Sequence, residues 1–197
     1  MNEQELQKIK EKALENHIPI IMDDTLEEIE KRLKQKGKIE KILEIGAAVG
    51  YSAICFSKFI EEKGKIDTIE REHERAEEAN ENFKKVGVEN KIHLYEGDAV
   101  EILPTLDDKY DMVFIDAAKG KYPFFLKEAI RLLKPNGIIF ADNILYKGYV
   151  MSDYNKHKQR TAVTHLREYI KLVTENPDLK TEILEVGDGL AVSEKIN

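Results

Sequence analysis

Two apolar segments of the sequence end on side chains that could bind a metal ion. The first, from Met112 to Ile115, is followed by Asp116, and the second, from Ile138 to Ala141, is followed by Asp142 and Asn143. If the two segments are neighbouring strands of a parallel sheet, their carboxyl ends bring these three side chains together at one edge. Oxygen ligands of this kind suit a hard divalent cation better than zinc or copper. We therefore expect metal ligands at Asp116, Asp142 and Asn143.

A turn of small residues lies earlier in the chain, between a short apolar strand and a helix. It runs Glu44-Ile45-Gly46-Ala47-Ala48-Val49-Gly50, and its glycines let the backbone approach a ligand closely. A dinucleotide fingerprint would need glycine where Ala48 stands, so the turn argues against pyrophosphate binding. Glu44 would repel a phosphate but would suit a cationic ligand. We expect Glu44 and Gly46 at a cofactor site, the alternative being an ordinary tight turn.

Acidic residues follow the next two predicted strands. Glu70 ends the second strand, where it can accept hydrogen bonds from ribose hydroxyls. Asp98 follows Gly97 after the third strand and could bind the exocyclic amine of adenine. An adenosine with a positively charged tail is S-adenosylmethionine. The turn and the two acids, in this order, therefore predict a site for that cofactor.

The segments that must position these residues alternate between strands and helices, which predicts a doubly wound, mostly parallel sheet. Gly187-Asp188-Gly189 joins the last two strands as a hairpin, so the last strand must be antiparallel to its partner. We expect an α/β fold in one domain over residues 1–197, with an N-terminal helical cap at 1–36 and a Rossmann-like core at 41–197. The predicted strands are 41–45, 65–70, 92–96, 112–115, 138–141, 181–186 and 190–193, and the main helices are 1–16, 25–36, 51–60, 71–86, 122–133 and 161–173.

The bulk composition excludes several classes of protein. A net charge of −7 argues against a protein that coats nucleic acid without sequence preference. A single cysteine excludes an internal disulfide framework and fits a reducing compartment. No apolar run approaches the roughly 20 residues that span a bilayer, and the N-terminus lacks the apolar region of a signal peptide. We expect a cytoplasmic protein without a membrane partner.

Positive charge is concentrated in one part of this acidic chain. Between Lys147 and Lys171 there are six Lys or Arg residues and two acids, a local net charge of +4. Such a segment could contact phosphates, and it could equally be the solvated face of a helix. The segment therefore raises the possibility of an RNA partner without deciding it.

Several motifs of the sequence together resemble one enzyme family. They are Leu43-Glu44-Ile45-Gly46-Ala47-Ala48-Val49-Gly50-Tyr51-Ser52, Thr68-Ile69-Glu70-Arg71, Gly97-Asp98-Ala99, Phe114-Ile115-Asp116-Ala117-Ala118-Lys119-Gly120 and Ala141-Asp142-Asn143. They resemble the cation-dependent O-methyltransferases, which include the caffeoyl-coenzyme A and catechol enzymes. Within this family, the chain is most similar to the bacterial tRNA 5-hydroxyuridine methyltransferases. The segments that carry the narrower similarity are His17-Ile18-Pro19-Ile20, Lys119-Gly120-Lys121-Tyr122, residues 142–148 and residues 186–191.

The resemblance implies a Rossmann-like, seven-stranded sheet with a reversed last strand and a homodimer. It implies S-adenosylmethionine and Mg²⁺, or another divalent cation, as cofactors. The metal ligands that it implies are again Asp116, Asp142 and Asn143. The cofactor contacts that it implies are Met22, Ser52, Glu70, Gly97, Asp98 and Asp116.

The reaction that the resemblance implies is methylation of the 5-hydroxyl of 5-hydroxyuridine at the wobble position of the tRNA anticodon, giving 5-methoxyuridine. Asp116 and Lys119 would be the catalytic residues, with Lys119 acting as a base or as a positive charge beside the anion. Tyr122 or Tyr146 could stack on a splayed base. The residues expected to contact phosphates of the anticodon loop are Lys121, Lys147, Lys156, Lys158 and Arg160.

Two other functions remain open from the sequence. The first is a small-molecule O-methyltransferase of the catechol or caffeoyl-coenzyme A type, with the same metal and cofactor but a vicinal diol as substrate. The second is a non-catalytic nucleotide-binding module, which would keep Glu70 and Asp98 but would have no need of Asp116, Asp142 and Asn143.

Overall fold

The computed structural model describes residues 1–152 and 160–196. The chain forms two compact units, Met1–Thr105 and Leu106–Asn197. In the described ranges no helix is long and apolar enough to cross a membrane. The expected single domain over residues 1–197, with its division at residues 36–41, stays a prediction.

Within its described residues, the first unit contains three parallel strands, five α-helices and a short 3-10 helix at Leu103–Thr105. The helices are α1 (Glu3–Glu15), α2 (Asp23–Lys36), α3 (Tyr51–Phe56), α4 (His73–Val86) and α5 (Ala99–Ile102), and the strands are β1 (Ile39–Ile45), β2 (Ile60–Glu70) and β3 (Ile92–Glu96). β2 pairs with β1 on one side and with β3 on the other, and both pairings are parallel.

The N-terminal helices form as their sequence pattern predicts. Asn2 caps α1, since its side-chain oxygen accepts hydrogen bonds from the backbone N–H groups of Gln4 and Glu5. Leu6, Ile9 and Ala13 are buried, and their spacing places them on one face of the helix. The predicted amphipathic helix is therefore present and begins at Glu3.

The second unit supplies the strands that end on the candidate metal ligands. The strands are β4 (Tyr110–Ile115), β5 (Leu133–Ala141), β6 (Leu179–Leu184) and β7 (Leu190–Lys195), and the helices are α6 (Tyr122–Leu132) and α7 (Arg160–Glu175). β4 and β5 are parallel, with Ile115 opposite Ala141, while β7 is antiparallel to both β5 and β6. A short 3-10 turn at Lys119–Lys121 leads into α6.

The predicted fold class is confirmed. Across residues 1–152 and 160–196 there are seven strands in a mixed sheet, mostly parallel, with a reversed last strand and N-terminal helices. Two strands are longer than predicted. β2 begins at Ile60 because Ile60 pairs with Ile39, and β5 begins at Leu133 because Leu133 pairs with Tyr110. The helix predicted at 51–60 ends at Phe56.

Candidate active site

The turn after β1 has an unusual backbone. Gly46, Ala48 and Gly50 all have positive φ, at 101°, 46° and 79°. Glycine is required at position 50, because a Cβ there would lie 2.4 Å from Cε1 of Phe83. Ala48 has the left-handed conformation that L-residues with a Cβ rarely adopt. The turn therefore holds strain that neighbouring groups must offset.

Glu70 supplies part of that compensation. Its Oε2 accepts a hydrogen bond from the N–H of Ala48 at 2.8 Å, and its Oε1 accepts from the N–H groups of Arg71 and Glu72 at 2.9 Å each. A carboxylate offers about four lone-pair positions, so it can still accept a hydroxyl from a ligand. Glu70 thus ties the end of β2 to the turn and remains suited to its predicted ribose contact.

Glu44 lies in the interior rather than on the surface of the turn. Its side chain is fully buried, and its two oxygens accept hydrogen bonds from the hydroxyls of Ser52 and Thr68. The hydroxyls offset part of the cost of burying the carboxylate. Glu44 therefore orients Ser52 at the start of α3, an arrangement that the sequence did not predict.

The remaining predicted cofactor residues of the first unit occupy different environments. Gly97 has φ 150°, and its N–H donates to the carbonyl of Glu70 at 2.8 Å. Asp98 caps α5, with its Oδ1 accepting from the N–H of Val100 at 2.8 Å. Met22 precedes α2 and is half-exposed. The adjoining ends of β1, β2 and β3 bring Glu44, Gly46, Glu70 and Gly97 together, whereas the predicted contact at Met22 rests on the resemblance alone.

The second unit brings the predicted metal ligands together around Lys119. The ammonium group of Lys119 donates to Oδ1 of Asp116 at 2.8 Å and to Oδ1 of Asn143 at 2.7 Å. Oδ1 of Asp142 accepts from the N–H of Asn143 at 2.7 Å. Asn143 adopts φ 57°, a left-handed conformation that asparagine tolerates better than most residues. Two oxygens from separate strand ends therefore converge on one positive charge.

The carboxylate of Asp142 is disfavoured in its ionised form. Burial first, and the charge of Asp116 second, raise the pKa of its carboxyl from 3.8 to about 7. The N–H of Asn143 and the charge of Lys119 act against this rise. A bound cation would favour the ionised form of Asp142.

The donor set fits a hard cation and does not fit a softer one. Asp116, Asp142 and Asn143 offer two carboxylates and one amide oxygen. Among residues 1–152 and 160–196, no group of three His, Cys, Asp or Glu side chains could hold a metal ion. A metal site here therefore needs the amide oxygen of Asn143 in addition to the two carboxylates. An all-oxygen set of this size leaves positions open for water or substrate, as Mg²⁺ sites commonly do.

Tyr122 lies beneath this site, and the prediction that it could stack on a base is wrong. Its side chain is completely buried, and its hydroxyl donates to the carbonyl of Asp142 at 2.8 Å. Its ring makes an edge contact with Tyr169, at 5.5 Å between centroids. Burial and the charges of Asp116 and Asp142 raise the pKa of Tyr122, which keeps its hydroxyl protonated as a donor.

Comparison with known proteins shows the family of the chain. A family model described as O-methyltransferase matches residues 3–196. The chain belongs to the O-methyltransferase family. It is 31% identical over 170 residues to a catechol O-methyltransferase of Niastella koreensis, a match that covers 82% of this chain and 76% of that protein. It is 33% identical over 164 residues to a caffeoyl-CoA O-methyltransferase of Medicago sativa, covering 78% of this chain and 66% of that protein.

Solved structures of related proteins share the fold. A crystal structure provisionally assigned as a caffeoyl-CoA O-methyltransferase from Staphylococcus aureus matches with a TM-score of 0.89 at 33% identity. The match covers 96% of this chain and 91% of that one. The expected membership of the O-methyltransferase family is thus confirmed, while the narrower similarity to tRNA 5-hydroxyuridine methyltransferases stays a prediction.

In this O-methyltransferase, the predicted RNA-contacting residues are only partly described. Lys121, Lys147 and Arg160 are exposed, whereas Lys156 and Lys158 lie outside the described residues. Arg167, which adds to the positive charge of this region, donates to the carbonyls of Val150 and Tyr149. Arg167 therefore supports the chain around residue 150, so it adds less to a phosphate-binding surface than its charge suggests.

The hairpin between β6 and β7 is a second structural support that sequence reasoning missed. The carbonyl of Asp188 accepts hydrogen bonds from the N–H groups of Leu145 and Tyr146, and its Oδ1 accepts from the N–H of Lys147. A Cβ at Gly189 would lie 2.3 Å from Cγ of Leu145. The Gly-Asp-Gly sequence at 187–189 was a signal for the turn, but not for its contact with the segment after Asn143.

Proposed function

We propose that this chain is a methyltransferase that uses S-adenosylmethionine and a divalent cation, Mg²⁺, to methylate a hydroxyl group. The observation that carries the proposal is the pair of contacts from the Lys119 ammonium to the oxygens of Asp116 and Asn143. These oxygens already surround a positive charge, and the pKa of the neighbouring Asp142 is raised. A non-catalytic nucleotide-binding module would have no need of such a group.

We propose that the first unit binds the methyl donor, S-adenosylmethionine. Glu70 would accept hydrogen bonds from ribose hydroxyls, and Asp98 would contact the adenine amine. Gly46 and Ser52 would line the turn beside the donor, with Glu44 holding the hydroxyl of Ser52. S-adenosylmethionine supplies a methyl group on a sulfonium, which an oxygen nucleophile displaces in line when it is held close.

We propose that the second unit binds the methyl acceptor, a substrate hydroxyl, at Asp116, Asp142 and Asn143. A divalent cation supplies Lewis-acid chemistry there, lowering the pKa of a hydroxyl and fixing its direction. We assign Lys119 an electrostatic role, because its side-chain nitrogen is held between the oxygens of Asp116 and Asn143 at the candidate site. Lys119 would stabilise negative charge that develops on the substrate.

The proposed substrate is 5-hydroxyuridine at the wobble position of tRNA. Its 5-hydroxyl and the adjacent O4 form a bidentate chelator for the cation. The exposed positions of Lys121, Lys147 and Arg160 support contact with phosphates of the anticodon loop. We propose further that the protein works in the cytoplasm as a homodimer, in which case light scattering will give twice the chain mass of 22.7 kDa.

A second candidate substrate is a small vicinal diol. The named activities of the relatives favour it, since they include a catechol and a caffeoyl-CoA O-methyltransferase at 31% and 33% identity. A catechol presents the same pair of adjacent oxygens. The two candidates differ in the part of the substrate beyond the chelating oxygens.

The deciding experiment offers both substrates to the purified protein with labelled S-adenosylmethionine and Mg²⁺. We expect mass analysis of digested tRNA nucleosides to show labelled 5-methoxyuridine, at an efficiency well above that for catechol. If catechol received the label and tRNA did not, the tRNA assignment would be overturned, but the assignment as an O-methyltransferase would stand. Absence of transfer to either substrate would count against both.

A salt titration of tRNA binding tests the phosphate contacts separately. A variant with Lys121, Lys147 and Arg160 changed to Gln should bind more weakly, and its log–log salt slope should be shallower by about 2–3 because about 0.7–0.9 counterions are released per contact. A control variant with Lys31, Lys84 and Lys85 changed to Gln loses the same charge and should keep the wild-type slope. Equal slopes in all three proteins would contradict the assigned contacts.

A further inference from the structure

Tyr122 is buried at the point where the second unit carries its candidate metal ligands. It is the first residue of α6 and has no exposed surface. Its hydroxyl lies 2.8 Å from the carbonyl oxygen of Asp142 and 3.3 Å from that of Ile115. A phenol has one proton to donate, so the shorter contact, to Asp142, is the main hydrogen bond.

The backbone of Asp142 is held from both sides. Its N–H donates to the carbonyl of Ile115 at 3.0 Å, and its carbonyl accepts the hydroxyl of Tyr122. The N–H of Asn143 then fixes Oδ1 of the Asp142 side chain. The first two contacts hold the backbone of Asp142, and the third holds its carboxylate. Among them, the hydroxyl of Tyr122 is the only side-chain donor.

The ring of Tyr122 reaches Lys119 as well. The ammonium group of Lys119 lies 5.5 Å from the ring centroid, a distance at which a cation is attracted to an aromatic ring. Tyr169 and Phe125 flank the ring at centroid distances of 5.5 Å and 6.4 Å. The phenol is thus a packed, rigid group that contacts both Asp142 and Lys119.

We propose that Tyr122 is a positioning residue, which holds Asp142 in the geometry needed to bind the divalent cation and holds the ammonium group of Lys119 beside that site. The inference rests on the proposed metal site at Asp116, Asp142 and Asn143. Tyr122 itself would touch neither the cation nor the substrate, since its hydroxyl is buried against backbone carbonyls. Its contribution would appear as cation affinity and as the orientation of Asp142.

The test compares two tyrosines that differ in the partners of their hydroxyls. Tyr169 is also fully buried, and it touches Tyr122, but no partner for its hydroxyl is found among the described residues. Tyr122→Phe therefore removes a hydrogen bond to Asp142, while Tyr169→Phe removes a hydroxyl of the same size in the same packing layer. Binding of Mn²⁺ would be measured by electron paramagnetic resonance, at a temperature where circular dichroism shows both variants folded.

We expect Tyr122→Phe to bind Mn²⁺ about 10- to 100-fold more weakly than wild type, the usual effect of removing a group that orients a metal ligand. Tyr169→Phe should bind it as wild type does. Both variants should bind S-adenosylmethionine with unchanged affinity, which a general loss of structure would not allow. With tRNA as substrate, excess Mn²⁺ should restore most of the activity of Tyr122→Phe, since the ligands themselves remain.

Other results would overturn the inference. Wild-type Mn²⁺ affinity in Tyr122→Phe would show that the hydroxyl does not position Asp142, and an equal loss in Tyr169→Phe would point to packing instead. If wild type itself bound no Mn²⁺, the proposed metal site would fail, and this inference with it. The wild-type measurement thus separates the two failures.

Discussion

The carboxylates of the two units differ in how the protein compensates their charge. In the first unit, Glu44 and Glu70 each receive hydrogen bonds from the protein on both oxygens. In the second unit, Asp142 is buried beside Asp116, and the pKa of Asp142 rises to about 7 as a result. Lys119 is the cation that offsets part of this charge.

This difference indicates two kinds of binding site. Around Glu70 the polar groups are largely satisfied in advance, so a ligand there would gain affinity from preorganised geometry. Around Asp142, burial and the charge of Asp116 both disfavour the ionised carboxylate, so a cation would gain affinity by neutralising that charge. A site of the first kind should tolerate loss of its ligand, and a site of the second kind should be destabilised without one.

The largest effect is expected from removing one charge of the second site. Asp142→Asn should lower methyl transfer by about 10³-fold or more, because a metal ion supplies several kcal/mol of transition-state stabilisation. Steady-state assays with labelled cofactor will measure the loss, and calorimetry should show unchanged S-adenosylmethionine affinity. The exposed Asp178→Asn is the charge-matched control and should be fully active. Full activity of Asp142→Asn, or of wild type in excess chelator, would refute the metal mechanism.

The metal-free protein should lose stability as pH rises. The pKa of Asp142 is raised from 3.8 to about 7 on folding, so the folded state binds the proton more tightly than the unfolded state. This group therefore favours the folded state most when protonated, and the unfolding free energy falls as pH rises from about 4 to 7, by at most about 4 kcal/mol. Urea unfolding in chelator at pH 5 and pH 8 will measure it.

Asp142→Asn is the control for that pH dependence, because asparagine does not titrate. The variant should lack the part of the pH dependence that Asp142 contributes. In the wild-type protein, an excess of Mg²⁺ should restore the stability that is lost at pH 8. Parallel pH profiles for the two proteins would show that the charge of Asp142 is already compensated, and the contrast between the two sites would then disappear.

Lys119 is expected to act through its charge, and two substitutions separate charge from proton transfer. Arginine keeps the charge but does not serve as a base, so Lys119→Arg should retain activity within about tenfold, whereas Lys119→Met should lose about 10²-fold through lost electrostatic stabilisation. Single-turnover rates with each variant give the comparison. Equal, large losses in both variants would instead support general-base catalysis by Lys119.

The sequence predicted where the acidic residues lie but not what holds them. The apolar segments before Glu70, Asp116 and Asp142 were recognisable as strands, and within each unit the parallel pairing aligns the strand ends. The direction of a buried hydroxyl depends on helix packing, which periodicity does not encode. The role of Tyr122 was therefore missed, and the same limit explains why Asp188 was recognised only as part of a turn.

In the first site, Glu70→Gln should weaken S-adenosylmethionine binding by about 10- to 100-fold, since hydrogen bonds to a charged group contribute roughly 1.5–3 kcal/mol. Isothermal titration calorimetry will measure this change. Mn²⁺ binding should be unaffected, which is the reverse of the result expected for Asp142→Asn. The neighbouring Glu72 is exposed, and Glu72→Gln serves as the matched control. Unchanged affinity in Glu70→Gln would mean that Glu70 only supports the turn.

The smallest effect concerns the strain in the turn at Ala48. Its φ of 46° costs about 1–2 kcal/mol for a residue with a Cβ, whereas glycine loses about 0.5–1 kcal/mol more chain entropy on folding. Ala48→Gly should therefore stabilise the protein by up to about 1 kcal/mol, as measured by urea unfolding. Gly87→Ala, at φ 78° with open space around it, is the converse and should destabilise by about 1 kcal/mol. Destabilisation by Ala48→Gly would mean that the left-handed conformation costs alanine less than the additional chain entropy that glycine loses on folding.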